Sequence, residues 1–250
     1  MKLVASLIVR DEADRYLRPC LDSLLGFCDE VRVYDDGSTD DFREHGWYGD
    51  DRVKVQRSSE STFFEDESAA RQAALDWTME AGPTHVVAID ADEFCSDGPG
   101  LRAWCAESNA PALMVCMEEV WGADADGLTI RTDGGWVPHE IVGVYRALGR
   151  EMVIPRRKLA CGRLPQSVIR LPRREVVSTG VSFFHFGWVC VADRQARYDR
   201  YVEHDGGKFH ASPHLQSIMW QDDHPKIGFC RSPWPAGLDR EAVGDRLRRA

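Results

Sequence analysis

The sequence predicts an α/β protein built on a parallel sheet. Over the first hundred residues, short apolar runs alternate with longer segments of helical periodicity, the pattern of βαβ units. The run Val86-Val87-Ala88-Ile89 is apolar without alternation, as in a strand covered on both faces. It stops abruptly in Asp90-Ala91-Asp92-Glu93, and ligand crevices in such sheets lie off the carboxyl ends of the strands.

Each element follows from its own residues. Residues 3–9 read as a buried strand, and residues 14–25 as a helix with Tyr16, Leu17, Leu21, Leu24 and Leu25 at helical spacing. Residues 31–34 form a second strand ending in Asp35-Asp36-Gly37-Ser38-Thr39-Asp40, and residues 53–55 a brief third. Residues 65–80 are rich in strong helix formers such as Ala69, Ala70, Ala73 and Leu75, and Gly82-Pro83 ends the helix. Residues 85–89 are the strand that carries the acids. Beyond residue 100 the pattern becomes irregular, with strands expected at 113–117, 128–130, 141–145 and 181–186. Asp124-Ala125-Asp126-Gly127 reads as a hairpin turn, since it lacks the further ligands of a calcium loop. Residues 193–203 read as a polar helix, and the stretch from Pro225 onward as a loop with a short frayed helix.

A chain of 250 residues with 43% hydrophobic and 29% charged content can bury a substantial core, as one large domain or two small ones. The net charge of -10 argues against a broad nucleic-acid-binding surface. A local basic stripe at Arg156, Arg157, Lys158, Arg163, Arg170, Arg173 and Arg174 has two readings: a solvated face, or a patch for a phosphorylated or nucleic-acid acceptor. The eight cysteines are scattered without a C-x-x-C pair, which speaks against a zinc ribbon. No signal peptide opens the chain, and no apolar stretch approaches the roughly 18 residues of a membrane span. A soluble cytoplasmic protein with free thiols is therefore expected.

Two acid-ended strands suit nucleotide-sugar binding. Asp36 would hydrogen-bond a base or ribose, and Gly37 would let backbone approach closely. Asp90 and Asp92 would share a divalent cation, Mn²⁺ or Mg²⁺, which prefers oxygen ligands completed by substrate phosphates. The plain alternative is that these acids are solvated or cap turns.

Residues 6–13 (Ser-Leu-Ile-Val-Arg-Asp-Glu-Ala), Leu21-Asp22-Ser23-Leu24 and residues 29–40, with their Tyr34-Asp35-Asp36-Gly37-Ser38-Thr39-Asp40, resemble the amino-terminal half of a family 2 glycosyltransferase. Ala69-Ala70-Arg71-Gln72 resembles that family's Ala-Arg-Asn helix element, and Asp90-Ala91-Asp92 its D-x-D element. The match covers residues 3–94 in consistent order. It implies a GT-A-like fold, a nucleotide-sugar donor (a UDP-sugar favoured), a divalent cation and inversion at the anomeric carbon. It further implies a single catalytic domain over 1–225, with 1–100 binding the donor and 101–225 building the acceptor side, and a tail at 226–250. By the same resemblance Val9, Arg10 and Glu12 line the nucleotide pocket and Asp36 contacts the base. Arg71 lies near the diphosphate, Asp90 approaches ribose or metal, and Asp92 is the main metal ligand.

In the second half, His185 within Phe183-Phe184-His185-Phe186-Gly187-Trp188 resembles the histidine that returns to the site as a metal or diphosphate ligand in several GT-A enzymes. Trp188 would cover the donor or stack on a sugar; core packing is the alternative for both. An inverting transfer needs a general base, and Glu118, Glu119, Asp133 and Glu140 are the candidates. Related enzymes place an acid after a segment such as Gly162-Arg163-Leu164-Pro165, but here Gln166 follows, so His139-Glu140 is a possible substitute. His204, His210, His214 and His224 lack metal-ligand spacing and suit a lid. The acceptor hydroxyl, on a glycan, protein or modified nucleic acid, is not specified. Two rivals stand beside the transferase: a nucleotidyltransferase-like enzyme, against which no Gly-rich phosphate loop with Arg and Lys follows the first strand, and a non-catalytic nucleotide- or carbohydrate-binding protein.

Overall fold

The structure is a computed structural model that describes residues 1–40, 49–147, 151–157, 162–204, 213–220, 223–241 and 243–244. Lys158, Cys161 and His210 lie outside them.

The expected parallel core is present. Strands β1 (Leu3–Val9), β2 (Glu30–Asp35), β3 (Val53–Arg57) and β4 (His85–Ala88) run parallel in the order β3-β2-β1-β4. Helix α1 (Leu17–Leu25) crosses over between β1 and β2, and α2 (Glu67–Met79) between β3 and β4. The pleat of β1 explains the two-sided burial. Leu3, Ala5, Leu7 and Val9 pack with Leu17, Leu21 and Leu24 of α1. On the other face Ser6 accepts from the Thr78 hydroxyl of α2, and Leu75 packs with Val86 and Ala88 of β4. Asp66 caps α2 by accepting from the Ala69 amide.

After β4 come β5 (Glu93–Cys95) and α3 (Gly98–Glu107), then β6 (Ala112–Asp124), β7 (Gly127–Arg131) and β8 (His139–Arg146). Strand β8 adds antiparallel to β4, and β6 antiparallel to β8. The long β6 then departs to pair with β7 through the expected turn, where Asp124 Oδ1 accepts from the amides of Asp126 and Gly127. Short α4 (Gln166–Ile169) leads to β9 (Val176–His185), which runs parallel to β6 and antiparallel to β5. Helix α5 (Val191–His204), α6 (Pro213–Gln216) and β10 (Phe229–Ser232) complete the described elements.

Besides longer β6 and β9 than the expected 113–117 and 181–186, four details depart from the sequence reading. Helix α1 starts at Leu17 rather than residue 14, because Asp11 takes a left-handed φ of 52° and its carboxylate accepts from the amide and hydroxyl of Thr39. Those bonds, with one from the Ala13 amide to Asp40, tie residues 11–13 to the loop after β2. Helix α3 hides behind Gly98-Pro99-Gly100, a turn-like string in sequence. Asp97 caps it by accepting from the Gly100 amide, and proline suits a first helical turn. The three-residue β5 is too short to show a pattern. Finally, the stretch from Pro225 is not only loop and helix: β10 pairs antiparallel with β7, Cys230 opposite Ile130, while residues 240–241 and 243–244 are helical. The described cysteines are all free.

Candidate functional site

Beyond the carboxyl ends of β1, β2 and β4 lie two adjoining cavities. The larger, of about 980 Å³, is lined by Val9, Arg10, Asp11, Asp36 and Ser61 among others. The smaller, of about 450 Å³, is lined by Arg71, Asp90, Asp92, Trp188, Arg197 and His214 among others. Ile8, Glu12, Arg15, Phe63, Phe64 and Arg200 line both, and so form their common wall. The sequence-predicted residues Val9, Arg10, Glu12, Asp36, Arg71, Asp90, Asp92 and Trp188 are thus brought to one groove.

At the floor of the smaller cavity every acid meets a cation. Asp90 faces Arg71 Nη1 at 3.2 Å and Arg163 Nη1 at 3.3 Å. Burial opposes its ionisation, but Arg71 and Arg163 outweigh burial and hold the carboxyl below its usual range. Arg71 is itself anchored on Glu67 at 3.0 Å, one helical turn back along α2, and its guanidinium lies 5.3 Å from the Phe63 ring centroid. Buried Glu93 accepts from Arg163 Nη1 through both oxygens, at 2.7 and 2.8 Å. Its second oxygen also accepts from the Asp90 amide at 3.2 Å.

Sheet register assembles the next layer. On β9, His185 is opposite Glu93 of β5 on one side and Glu119 of β6 on the other. Its Nδ1 lies 2.6 Å from Glu119 Oε2, and its Nε2 3.3 Å from Asp92 Oδ2. Desolvation favours the neutral ring, yet the two carboxylates prevail and raise the imidazole well above its ordinary value. Trp188 Nε1 donates to the same Glu119 oxygen at 2.7 Å, while its ring stacks on Trp121 and lies 4.6 Å from the Arg197 guanidinium. Trp188 therefore both packs the core and walls the cavity.

At the other end, Asp36 is fully buried and accepts from the Ser61 hydroxyl at 2.6 Å, the Thr62 amide at 3.0 Å and the Phe63 amide at 3.1 Å. Gly37, at φ +69°, allows this: a Cβ there would lie 2.7 Å from the Ser61 amide nitrogen. Arg10 reaches the same loop, donating to the Ser61 hydroxyl at 2.8 Å. Glu12 pairs with Arg15, but desolvation first and the Asp92 charge as well push its carboxyl up to about 7.

Of the candidate bases, Glu119 stands directly behind Trp188 and His185. None of Glu118, Glu119, Asp133 and Glu140 lines either cavity. Asp133 holds the buried Arg131 at 2.8 and 3.0 Å and accepts from the Gly228 amide; Glu140 is paired with Arg173 at 2.8 Å. Glu118 accepts from the Ser182 hydroxyl at 2.5 Å. The basic stripe divides likewise: Arg163 turns into the site, while Arg156, Arg157, Arg170, Arg173 and Arg174 are exposed. His214 lines the smaller cavity and stacks on Trp136.

Sequence reading missed Arg15, Arg197, Arg200, Phe63 and Phe64, and named Arg163 only as part of the basic stripe. Helix α5 was legible as polar, and its Arg194, Arg197, Arg200 spacing of three was the available signal. The donor chemistry suits a hard cation, with Asp90 and Asp92 presenting oxygens to one cavity whose occupant would complete the coordination. No three His, Cys, Asp or Glu side chains among the described residues surround a common point.

The chain resembles solved structures of S. aureus TarS. It matches TarS 1-349 in complex with UDP at TM-score 0.51 and 16% identity, over 87% of this chain and 70% of that one. The complex with UDP-GlcNAc gives 0.51 and 15%, over 87% and 71%. A longer TarS structure gives 0.52 and 16%, over 82% of this chain and 40% of that one. No family model matches the sequence, and no curated protein matches it. At these identities the likeness shows the fold, which is the GT-A-like arrangement that the motifs implied.

Proposed function

We propose that this protein is a glycosyltransferase of the family 2 type, moving a sugar from a UDP-sugar to a hydroxyl acceptor with inversion at the anomeric carbon. One observation carries the reading: the two cavities share a wall, so a nucleoside in the larger one is continuous with a sugar in the smaller one, over Asp90 and Asp92. The fold shared with a protein solved with UDP and with UDP-GlcNAc supports the same donor class.

In this reading the loop at Ser61 and Phe63, set by Asp36, and the end of β1 at Val9, Arg10 and Glu12 enclose the nucleoside. Trp188 covers the sugar. A Mn²⁺ or Mg²⁺ ion would be held by Asp92 and Asp90, with His185 beside Asp92, and would supply Lewis-acid neutralisation of the departing diphosphate. Arg71 adds a fixed positive charge to the same cavity as Asp90 and Asp92, preorganised by Glu67. The acceptor hydroxyl attacks the anomeric carbon as the bond to the diphosphate oxygen breaks, and its proton passes to a carboxylate. Glu119, hydrogen-bonded to the cavity-lining Trp188, is the candidate.

A second reading, a nucleotide- or carbohydrate-binding protein on this fold, is favoured by one observation: Asp133, Glu140 and Glu119 are each already engaged by cations or hydrogen bonds. Incubation with a panel of nucleotide sugars and Mn²⁺, measuring nucleoside diphosphate release, separates the two. Release is expected with a UDP-sugar. A thermal shift with UDP but no release from any donor supports the binding protein, and neither response overturns both.

A further inference from the structure

Arginines crowd the two cavities, Arg15 and Arg200 on their common wall and Arg197 in the smaller one, and their partners are unequal. Arg15 is held by Glu12 and lies 3.6 Å from Asp193. Arg197 is committed to Asp92 at 2.5 Å. Arg200, three residues further along α5 on the same face, lines both cavities and forms no ion pair among the described residues. Its guanidinium lies 5.9 Å from the Phe64 ring centroid. Burial, followed by the positive charges of Arg197 and Arg15, disfavours its cation and outweighs the opposing influence of Glu12 and Tyr201. A half-buried guanidinium among like charges, with no carboxylate of the described residues in ion-pair contact, is suited to take up an anion.

We propose that Arg200, with Arg15 beside it, is the clamp for the diphosphate that links nucleoside to sugar. The inference rests on the nucleotide-sugar reading and adds residues to it that no motif marks. Its geometry is that of the junction: the group between base and sugar must cross the wall the cavities share, and Arg200 lines that wall from both sides. The guanidinium fork matches phosphate oxygens in a bidentate manner. Arg200 is thereby a binding residue of the donor.

Calorimetric titration of UDP, uridine and inorganic pyrophosphate into wild type and Arg200→Gln tests this. The substitution is expected to weaken UDP by about ten- to a hundredfold, as loss of a charge-assisted pair should, while leaving uridine within about threefold. Equal weakening of UDP and uridine, or no weakening of UDP, overturns the clamp and leaves the donor reading standing. Pyrophosphate binding by wild type that Arg200→Gln abolishes, without any UDP binding, supports the clamp and removes the donor. If wild type binds none of the three, both fall. Should Arg200→Gln fail to fold, phenylglyoxal modification of wild type decides: UDP, but not uridine, is expected to protect the peptide carrying Arg200, and absence of protection overturns the clamp.

Discussion

Arg197 donates to Asp92 Oδ2 at 2.5 Å, so the central acid of the Asp-x-Asp pair is charge-balanced from within the protein. His185 Nε2 approaches the same oxygen at 3.3 Å. Burial alone would raise this carboxyl, yet the charges of His185 and Arg197 hold it well below the usual carboxylate range. The stability this contributes is present above the unfolded carboxyl value of 3.8 and is lost as pH falls through the depressed folded value. A cation arriving at Asp92 must therefore compete with a guanidinium.

Asp92→Ala should then have two effects. It leaves Arg197 and His185 buried without their shared acid, costing about 3 kcal/mol or more of stability, as breaking one side of a buried pair does. It should also remove the gain in UDP affinity that Mn²⁺ confers. Denaturant unfolding reads the first effect and calorimetry with and without Mn²⁺ the second. A variant that keeps its Mn²⁺-dependent UDP affinity would take Asp92 out of the cation site.

Gly187 lies against this same cluster. A Cβ there would lie 2.5 Å from Arg197 Nη2, 2.6 Å from Asp92 Oδ2 and 2.7 Å from His185 Nε2. No real side chain tolerates such approaches, so Gly187→Ala must displace all three groups. The expected cost is about 1–3 kcal/mol of stability. Nucleoside diphosphate release should fall about tenfold or more, because sub-ångström displacement of charged groups degrades preorganisation. Turnover equal to wild type in a folded Gly187→Ala protein would show that the cluster does not set the rate.

What the sequence made legible was local: contiguous apolar runs for β1 and β4, and acids at their ends. Those features need only periodicity and chain order, and the structure keeps them in register. What it concealed depends on partners far apart in the chain. Arg163 is 70 residues from Glu93 and Arg197 is 105 from Asp92, so the basic stripe and the arginine spacing mark them as basic without naming the acids they meet. Asp133 illustrates the reverse case. It sits where an acceptor-side acid was expected, but Arg131, buried among Trp121 and Trp136, claims it. Pairing across the fold decides which acids remain for chemistry, and pairing has no short-range signature.

Glu12 provides a pH test. Its carboxyl rises from 4.5 to about 7, with desolvation the largest cause. The folded protein thus retains a proton across the window from 4.5 to about 7 that the unfolded chain has released, so stability declines as pH rises through that window. Glu12→Gln should flatten this part of the stability profile. It should also make UDP affinity less sensitive to pH above about 7, where wild type develops a negative charge on the wall between the cavities. Comparing both proteins cancels the titration of UDP itself. Parallel pH profiles for the two would show that Glu12 does not titrate beside the ligand.

Asp36 was expected to contact the nucleotide base, and its surroundings suggest a different division of labour. Its carboxylate is fully buried and spent on Ser61, Thr62 and Phe63, while the loop it holds presents Phe63 and Phe64 to both cavities. Charge-assisted bonds to several donors make this an expensive acid to lose. Asp36→Ala should cost about 3 kcal/mol or more, since the Thr62 and Phe63 amides lose their acceptor. Asp36→Asn keeps the shape but offers one accepting oxygen where two are used, so it should fold and loosen the loop. If Asp36 acts by positioning this loop, Asp36→Asn weakens UDP, GDP and ADP by similar factors, because the loop walls the pocket whatever base enters. If it hydrogen-bonds the base, the loss falls on one nucleotide and discrimination among the three collapses. Affinities of the three nucleoside diphosphates for wild type and Asp36→Asn decide the point, and the buried carboxylate with its three loop partners favours the uniform loss.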